Sequence, residues 1–375
     1  MIEDLTRNSQ RRLPRGGRLL AINFGGIGDE ILFLPTLATI KKALPDWSIT
    51  LMVEPRSASV AQVTDLIDEI IAFDIKKRPL FPGDLREVLS LIRSGGFDVV
   101  VSSGSSPMVS MLLFLSGVPV RVGYRTGALS TLLLTDPAPL NREQYAGSMY
   151  HSLAGQLVKS FGLPEESDSA KNPRAHLNQD SLASMQDLLV GLGIESSAER
   201  RSGDSRIVLF HPGTSRLAVE KGIIKTWPAG SWVELAAMLD SLAGESGEKL
   251  QIVLAGGPDD AEAIEQITRE SSKQIVSAYG GTKSLADLAA LIHLSDLMVC
   301  VDSAPMHLAV ALGKPLVALF GPTNPYLLLP DDPRFKFIWD NKNARRDMFD
   351  GLGVDIAPST VLNTIKALLA QPAIL

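Results

Sequence analysis

Short apolar runs alternate along this chain with stretches whose apolar residues fall three and four positions apart. The first run, 18–24, ends in glycines. Ile31, Leu34, Leu37, Ile40 and Leu44 then recur at helical spacing across 29–44. Strand-sized runs follow at 48–53, 69–75 and 97–102, separated by helical stretches near 57–66, 84–94 and 107–116. From Arg206 the scheme starts again, with strands expected at 206–211, 250–255, 274–278, 297–301 and 315–320. Helices are expected between and after them at 229–243, 259–270, 284–294 and 305–312. Such alternation predicts parallel sheets with helices on both faces. The halves share this architecture without a recognisable sequence repeat.

The pattern breaks between 164 and 205. Two polar runs, PEESDSAKNPR and ESSAERRSGDS, flank one helical stretch at 181–192. This places the boundary between two domains. The expected organisation is a basic N-terminal arm at 1–17, a Rossmann-like domain at 18–165 and a linker region at 166–205. A second Rossmann-like domain at 206–357 and an amphipathic C-terminal helix within 358–375 complete it. A length of 375 residues with 45% hydrophobic content supports two separate cores. The expected fold class is α/β, with two doubly wound domains. Their ligand sites belong at the carboxyl ends of the strands, and in an interdomain cleft if those ends face each other.

Charge narrows the partners. Lys plus Arg is 36 against 42 for Asp plus Glu, a net −6, which leaves no nucleic-acid footprint. Arg7, Arg11, Arg12, Arg15 and Arg18 concentrate positive charge at the start. They read either as a solvated tail or as an arm that meets anionic lipid head groups or phosphorylated glycans. No apolar run has transmembrane length, and the first residues lack the apolar core of a secretory signal. Cys300 is the single cysteine, so no intrachain disulfide forms. The expected location is the cytoplasm, with at most peripheral contact at the inner membrane face.

Four strand-to-helix turns carry candidate chemistry. In the first, Gly25, Gly26 and Gly28 allow a tight turn and a close ligand approach, and the helix start offers free N–H groups. As a dinucleotide fingerprint it is incomplete, because Ile31 stands where a third small residue belongs. Asp29 reads either as a capping carboxylate or as a general base. The second turn, His211 to Ser215, is followed by Lys225, and Thr214, Ser215 and Lys225 suit a phosphate. His211 reads as a structural strand-end residue. The third, Gly256 to Glu262, offers Asp260 or Glu262 to ribose hydroxyls. In the fourth, Asp302, Ser303 and Ala304 end a strand, and Pro305 opens a helix that carries His307. The N–H groups there suit a diphosphate.

Absences matter too. The chain contains no Asp-x-Asp, no Walker-type loop, no Gly-x-Ser-x-Gly and no zinc-like His/Cys spacing. The expectation is a metal-free reaction without a cofactor, in which protein donors neutralise a leaving diphosphate.

Taken together, the turns resemble glycosyltransferase family 9, the ADP-heptose:lipopolysaccharide heptosyltransferases. The matching stretches are LLAINFGGIGDEILFLPTLATIKKALPDWSITLMV, VLFHPGTS with KTWPAGSWVELAAML, IVLAGGPDD, and GTKSLADLAALIHLSDLMVCVDSAPMHLAVALGKPLVALFGPTNP. The resemblance implies a GT-B fold and inverting, metal-independent transfer from a nucleotide sugar, expected to be ADP-linked. The acceptor it implies is a lipid-linked or envelope glycan. It further implies Asp29 as base, Thr214 and Lys225 on the diphosphate, Lys283 on the nucleobase and Glu262 on the ribose. Asp302, Ser303, Ala304 and His307 would form the donor loop. The chain departs from the family pattern at Asn23, Glu30 and Ala304, and in the insert LAVEKGII before Lys225. Two other classes compete: a catalytically silent nucleotide-sugar-binding protein and an NAD(P)-dependent oxidoreductase.

Overall fold

The computed structural model describes residues 16–75, 82–164, 172–194, 205–220, 222–246, 249–271, 275–341 and 354–370. Arg7, Arg11, Arg12 and Arg15 of the arm, and most of both polar runs, lie outside the described residues. Contacts divide the chain into two compact units, Met1–Pro173 and Arg174–Leu375.

Continuous apolar runs become central strands because both faces of a helix-covered sheet are dry. In the first unit these are β1 (Arg18–Ile22), β2 (Ser48–Val53), β3 (Glu69–Ala72), β4 (Val99–Ser102), β5 (Val120–Tyr124) and β6 (Asp136–Ala138). All pairs are parallel, in the order β3-β2-β1-β4-β5-β6. In the second unit β7 (Ser205–His211), β8 (Lys249–Leu254), β9 (Ile275–Ser277), β10 (Leu297–Val301), β11 (Leu316–Phe320) and β12 (Phe335–Trp339) pair in parallel. Their order is β12-β11-β10-β7-β8-β9. The two sheets therefore have the same winding. Each reverses direction once, between β1 and β4 and between β7 and β10, and those reversals open the crevices where doubly wound sheets take ligands.

Three strands escaped the sequence pattern. In β6, Pro137 cannot donate to a ladder, and the strand sits at the sheet edge, where none is needed. β12 is the opposite kind of edge, mostly half-buried. β5 carries the charged Arg121 inside a short run. The helical stretch expected near 57–66 is instead a 3-10 helix, Pro55–Val63. Its buried residues Ser57, Val60 and Val63 fall every third position, the period of that helix.

The helix Ile27–Ala43 is buried nearly all round, because the helix Ala146–Ser160 covers it from outside the sheet. That packing also carries it through Pro35, which removes one backbone donor inside the helix. In the second unit Asn178 caps the helix Gln179–Gly191, its side chain accepting from Ser181 N–H at 3.0 Å. This helix packs against Leu285–Leu294. The C-terminal helix Pro358–Leu369 buries Val361, Ile365 and Leu368 against Ala229–Ser246, and Arg206 Nη1 donates to Leu369 O at 2.8 Å. Among the described residues no helix is long and apolar enough to cross a membrane.

Candidate active site

In the first unit the β1 turn forms one side of a cavity of about 340 Å³ at the sheet's reversal point. Asn23, Gly25 and Asp29 line it from β1, Ser102 to Ser105 from β4, and Tyr150 from the covering helix. Asp29 is the third residue of its helix. Its Oδ2 accepts the Gly26 N–H at 2.8 Å, and its Oδ1 accepts the Tyr150 O–H at 3.2 Å. The capping interaction is therefore real, yet it uses one oxygen edge and leaves the carboxylate lining the cavity. A Cβ on Gly25 would overlap Asp29, so glycine is required there.

Tyr150 was not singled out in the sequence. It belongs to the helix 146–160, whose Gly147, Ser148 and Gly155 dilute the apolar pattern. Phe33 packs edge-on to its ring with centroids 5.8 Å apart and aims the hydroxyl at Asp29. Burial, then the charge of Asp29, pushes the Tyr150 phenol far above its usual range, so it remains a neutral donor. Asn23 is buried and ties the turn to β4. Its Nδ2 donates to Asp29 O at 3.3 Å, and its Oδ1 accepts from Ser103 Oγ at 2.6 Å.

The second unit uses the same local device after β8. Asp260, third residue of the 3-10 helix Pro258–Asp260, accepts the Gly257 N–H on Oδ2 at 2.8 Å. A Cβ on Gly213, in the turn after β7, would overlap that carboxylate. Asp259 accepts the Arg216 N–H at 3.0 Å, so the β7 and β8 turns are stitched together at two points. Glu262 instead stands exposed in the first turn of the helix Ala261–Glu270.

Burial pushes the Asp260 carboxyl up to about 6; the Gly257 N–H opposes the rise and Asp259 adds to it. A raised folded-state value means the folded protein binds the extra proton. Stability from this group is full below the unfolded value near 4 and is lost as pH rises through about 6. Asp260→Asn is therefore expected to flatten the fall in Tm between pH 4 and 6, an effect of roughly 1–3 kcal/mol. Parallel melts of both proteins across that range check it, and an unchanged slope counts against the buried, proton-binding carboxyl.

At the second reversal point Cys300 of β10 lies opposite His211 of β7, which brings the two following turns side by side. Lys225 Nζ donates to Asp302 Oδ2 at 2.6 Å. Thr323, from the turn after β11, donates to the same oxygen at 2.5 Å. Asp302 is only 3% exposed, whereas the Lys225 side chain keeps 17%, so the lysine is the member of the pair open to an anion. Ser303 precedes the helix Ala304–Ala311 in extended conformation, and its side chain does not cap the helix start. Thr214 and His307 are buried beside these turns, and Ser215 is exposed, accepting from Ala218 N–H at 3.3 Å. Burial pushes the His211 imidazole down to about 4, so it is neutral at pH 7, which suits a structural strand end.

Lys283 is placed differently. It follows the edge strand β9, its side chain is exposed, and its backbone N–H donates to Asp287 Oδ2 at 3.0 Å. The structure thus brings Lys225 into contact with Asp302, with Ser303 and Ala304 next in chain, and puts Gly213 against Asp260. Thr323 is a partner that lies outside the four candidate turns. Among the described residues no group of three or more His, Cys, Asp or Glu side chains is arranged to hold a metal ion.

Known proteins resemble the chain over nearly its whole length. The chain is 25% identical over 367 residues to lipopolysaccharide heptosyltransferase 2 of Escherichia coli strain K12, covering 94% of this chain and 99% of that protein. It superposes on the glycosyl transferase family 9 structure from Veillonella parvula with a TM-score of 0.73 and 23% identity, covering 94% and 97% of the two chains. The E. coli ADP-heptose lps heptosyltransferase II gives a TM-score of 0.67 at 24% identity, covering 94% and 98%. These are GT-B neighbours, and the two doubly wound units fit that class. The model of glycosyltransferase family 9 (heptosyltransferase) matches residues 86–349, and the chain belongs to that family.

Proposed function

We propose that this glycosyltransferase moves a heptose or similar sugar from an ADP-linked donor to a lipopolysaccharide or other envelope glycan, with inversion and without a metal ion. The observation that carries the reading is Asp29. Its carboxylate is fixed by Gly26 N–H and Tyr150 O–H, and it lines a cavity large enough for part of a sugar acceptor. A base so held suits proton removal from a hydroxyl. The relatives are lipopolysaccharide heptosyltransferases, which supports the acceptor class.

The donor belongs to the second unit. Lys225 and the start of the helix Ala304–Ala311 supply positive charge for a diphosphate, and Thr214, Ser215 and Ser303 supply hydroxyl donors. Glu262 is assigned to the ribose, Lys283 to the nucleobase, and His307 to the donor loop that starts at Asp302. In the reaction Asp29 takes the acceptor hydroxyl proton. The freed oxygen attacks the anomeric carbon from the face opposite the diphosphate, and the bond from that carbon to the leaving oxygen breaks. ADP departs with its new charge matched by Lys225 and the helix start. NAD(P) chemistry has no complete fingerprint to rest on.

ADP-, GDP- and UDP-linked sugars are to be compared by thermal shift on the same protein. The ADP-linked donor is expected to raise Tm most, since a ligand that binds only the folded state stabilises it. Product NMR is expected to show the anomeric configuration opposite to the donor, and a chelator to leave turnover unchanged. Retention of configuration, or loss of turnover with the chelator, overturns the mechanism. Donor binding with no consumption over a panel of glycan acceptors overturns the enzyme reading in favour of a binding protein.

A further inference from the structure

Most of the large apolar side chains that stand exposed cluster in one place. Among the described residues Met108, Met111, Phe114, Leu115, Leu129 and Leu132 lie on two helices, Pro107–Ser116 and Ala128–Leu133, that pack on each other. On the first helix the exposed positions recur three and four apart, so one whole stripe of it is apolar and open. Leu132 is 79% exposed, close to what it would have in an unfolded chain. Clustering of this kind marks an interaction surface.

Charge selects the partner. From 99 to 135 the sequence contains no Asp, Glu or Lys and two arginines, Arg121 and Arg125, in a protein whose net charge is −6. Arg121 stands over the Phe114 ring at 5.7 Å, Arg93 donates to Leu115 O at 2.6 Å, and Arg125 is exposed. Apolar side chains with a basic rim match the two layers of a bilayer surface, acyl chains below and anionic head groups above. A symmetric second copy fits poorly, because the arginine rims would face one another.

We propose that the helices Pro107–Ser116 and Ala128–Leu133 form a docking face for an anionic lipid bilayer. Val109 and Leu112, on the inner side of the same first helix, line the Asp29 cavity. Docking therefore sets that cavity at the membrane interface, where a lipid-linked acceptor presents its sugars; this last link rests on the proposed function.

The test is co-sedimentation of the full chain with phosphatidylcholine vesicles with and without about one third phosphatidylglycerol. The wild-type protein is expected to bind the anionic vesicles. The double variant Met111→Glu with Leu132→Glu is expected to lose on the order of tenfold or more in partition. Val190→Glu, an exposed apolar site on the other unit, and alanine replacement of Arg7, Arg11, Arg12 and Arg15 are expected to leave binding largely intact. No wild-type binding, unchanged binding of the double variant, or complete loss on arm replacement alone overturns the proposal. So does a dimer in light scattering that the double variant dissolves in the absence of vesicle binding. Transfer to a lipid-free glycan fragment, measured on the same proteins, is expected to be equal in wild type and double variant, which shows that the variant folds. Absence of transfer in both counts against the proposed function and leaves the vesicle result standing.

Discussion

Asp29→Asn is expected to lower kcat by roughly a thousandfold while ADP still raises Tm as in the wild type. The amide keeps an oxygen for Gly26 N–H, so the helix start survives, and the Tyr150 hydroxyl turns to accept from the new NH2 group. What disappears is the basic carboxylate at the cavity. The competing view, that Asp29 serves only as a cap, makes the opposite forecast: a stability change of about 1 kcal/mol at most and turnover near normal. Steady-state kinetics with a fixed acceptor, read beside thermal melts, separates the two. Near-wild-type kcat would sink the base assignment. Tyr150→Phe is the graded control. It removes one of the two donors that fix the carboxylate and is expected to cost roughly tenfold in kcat, with the donor KM unmoved.

The second large effect concerns Lys225. Lys225→Ala is expected to abolish the ADP-induced rise in Tm and to lower kcat/KM by at least roughly a hundredfold, the scale of a lost charge on a leaving diphosphate. It also carries a folding cost, because Asp302 is 3% exposed and, among the described residues, would keep only the Thr323 hydroxyl as a side-chain partner. Breaking a buried pair by removing one member typically costs about 3–5 kcal/mol. The two consequences can be separated. Adding Asp302→Asn removes the stranded charge, so the double variant is expected to regain most of the lost Tm without regaining ADP binding. If the double variant recovers both, Lys225 acts only as the partner of Asp302. If the single variant still binds ADP normally, the diphosphate lies elsewhere.

Both forecasts depend on residues that differ in how visible they were along the chain. Asp29 and Asp302 directly follow apolar runs at strand-to-helix turns, whereas Lys225 is reached from the turn after β7 only across the insert LAVEKGII. That local signal is strong, because a strand-to-helix turn constrains its residues within a few positions. Tyr150 carries no such signal, and Thr323 follows the Gly-Pro end of an apolar run with nothing local to pair it with Asp302. Tyr150 is separated from Asp29 by 121 positions and touches it only because the helix 146–160 lies over the helix 27–43. Thr323 meets Asp302 because β11 pairs with β10. The choice between Asp260 and Glu262 was likewise invisible: both follow the same glycines, and only packing against Gly213 buries one and leaves the other in solvent.

The chain's own pattern of apolar runs and helical spacing determined the α/β class, the two windings and the turns that carry chemistry, since burial on both sheet faces and backbone freedom at glycine are local requirements. It could not determine edge strands such as β6 and β12, whose half-exposed residues lack a distinctive period. Nor could it separate the apolar face of 107–116 that packs inward from the one that stands open. Only the tertiary structure decided those points, because partners far apart in sequence set burial, and burial decides which carboxylate is fixed, which lysine stays open and which apolar stripe is left exposed.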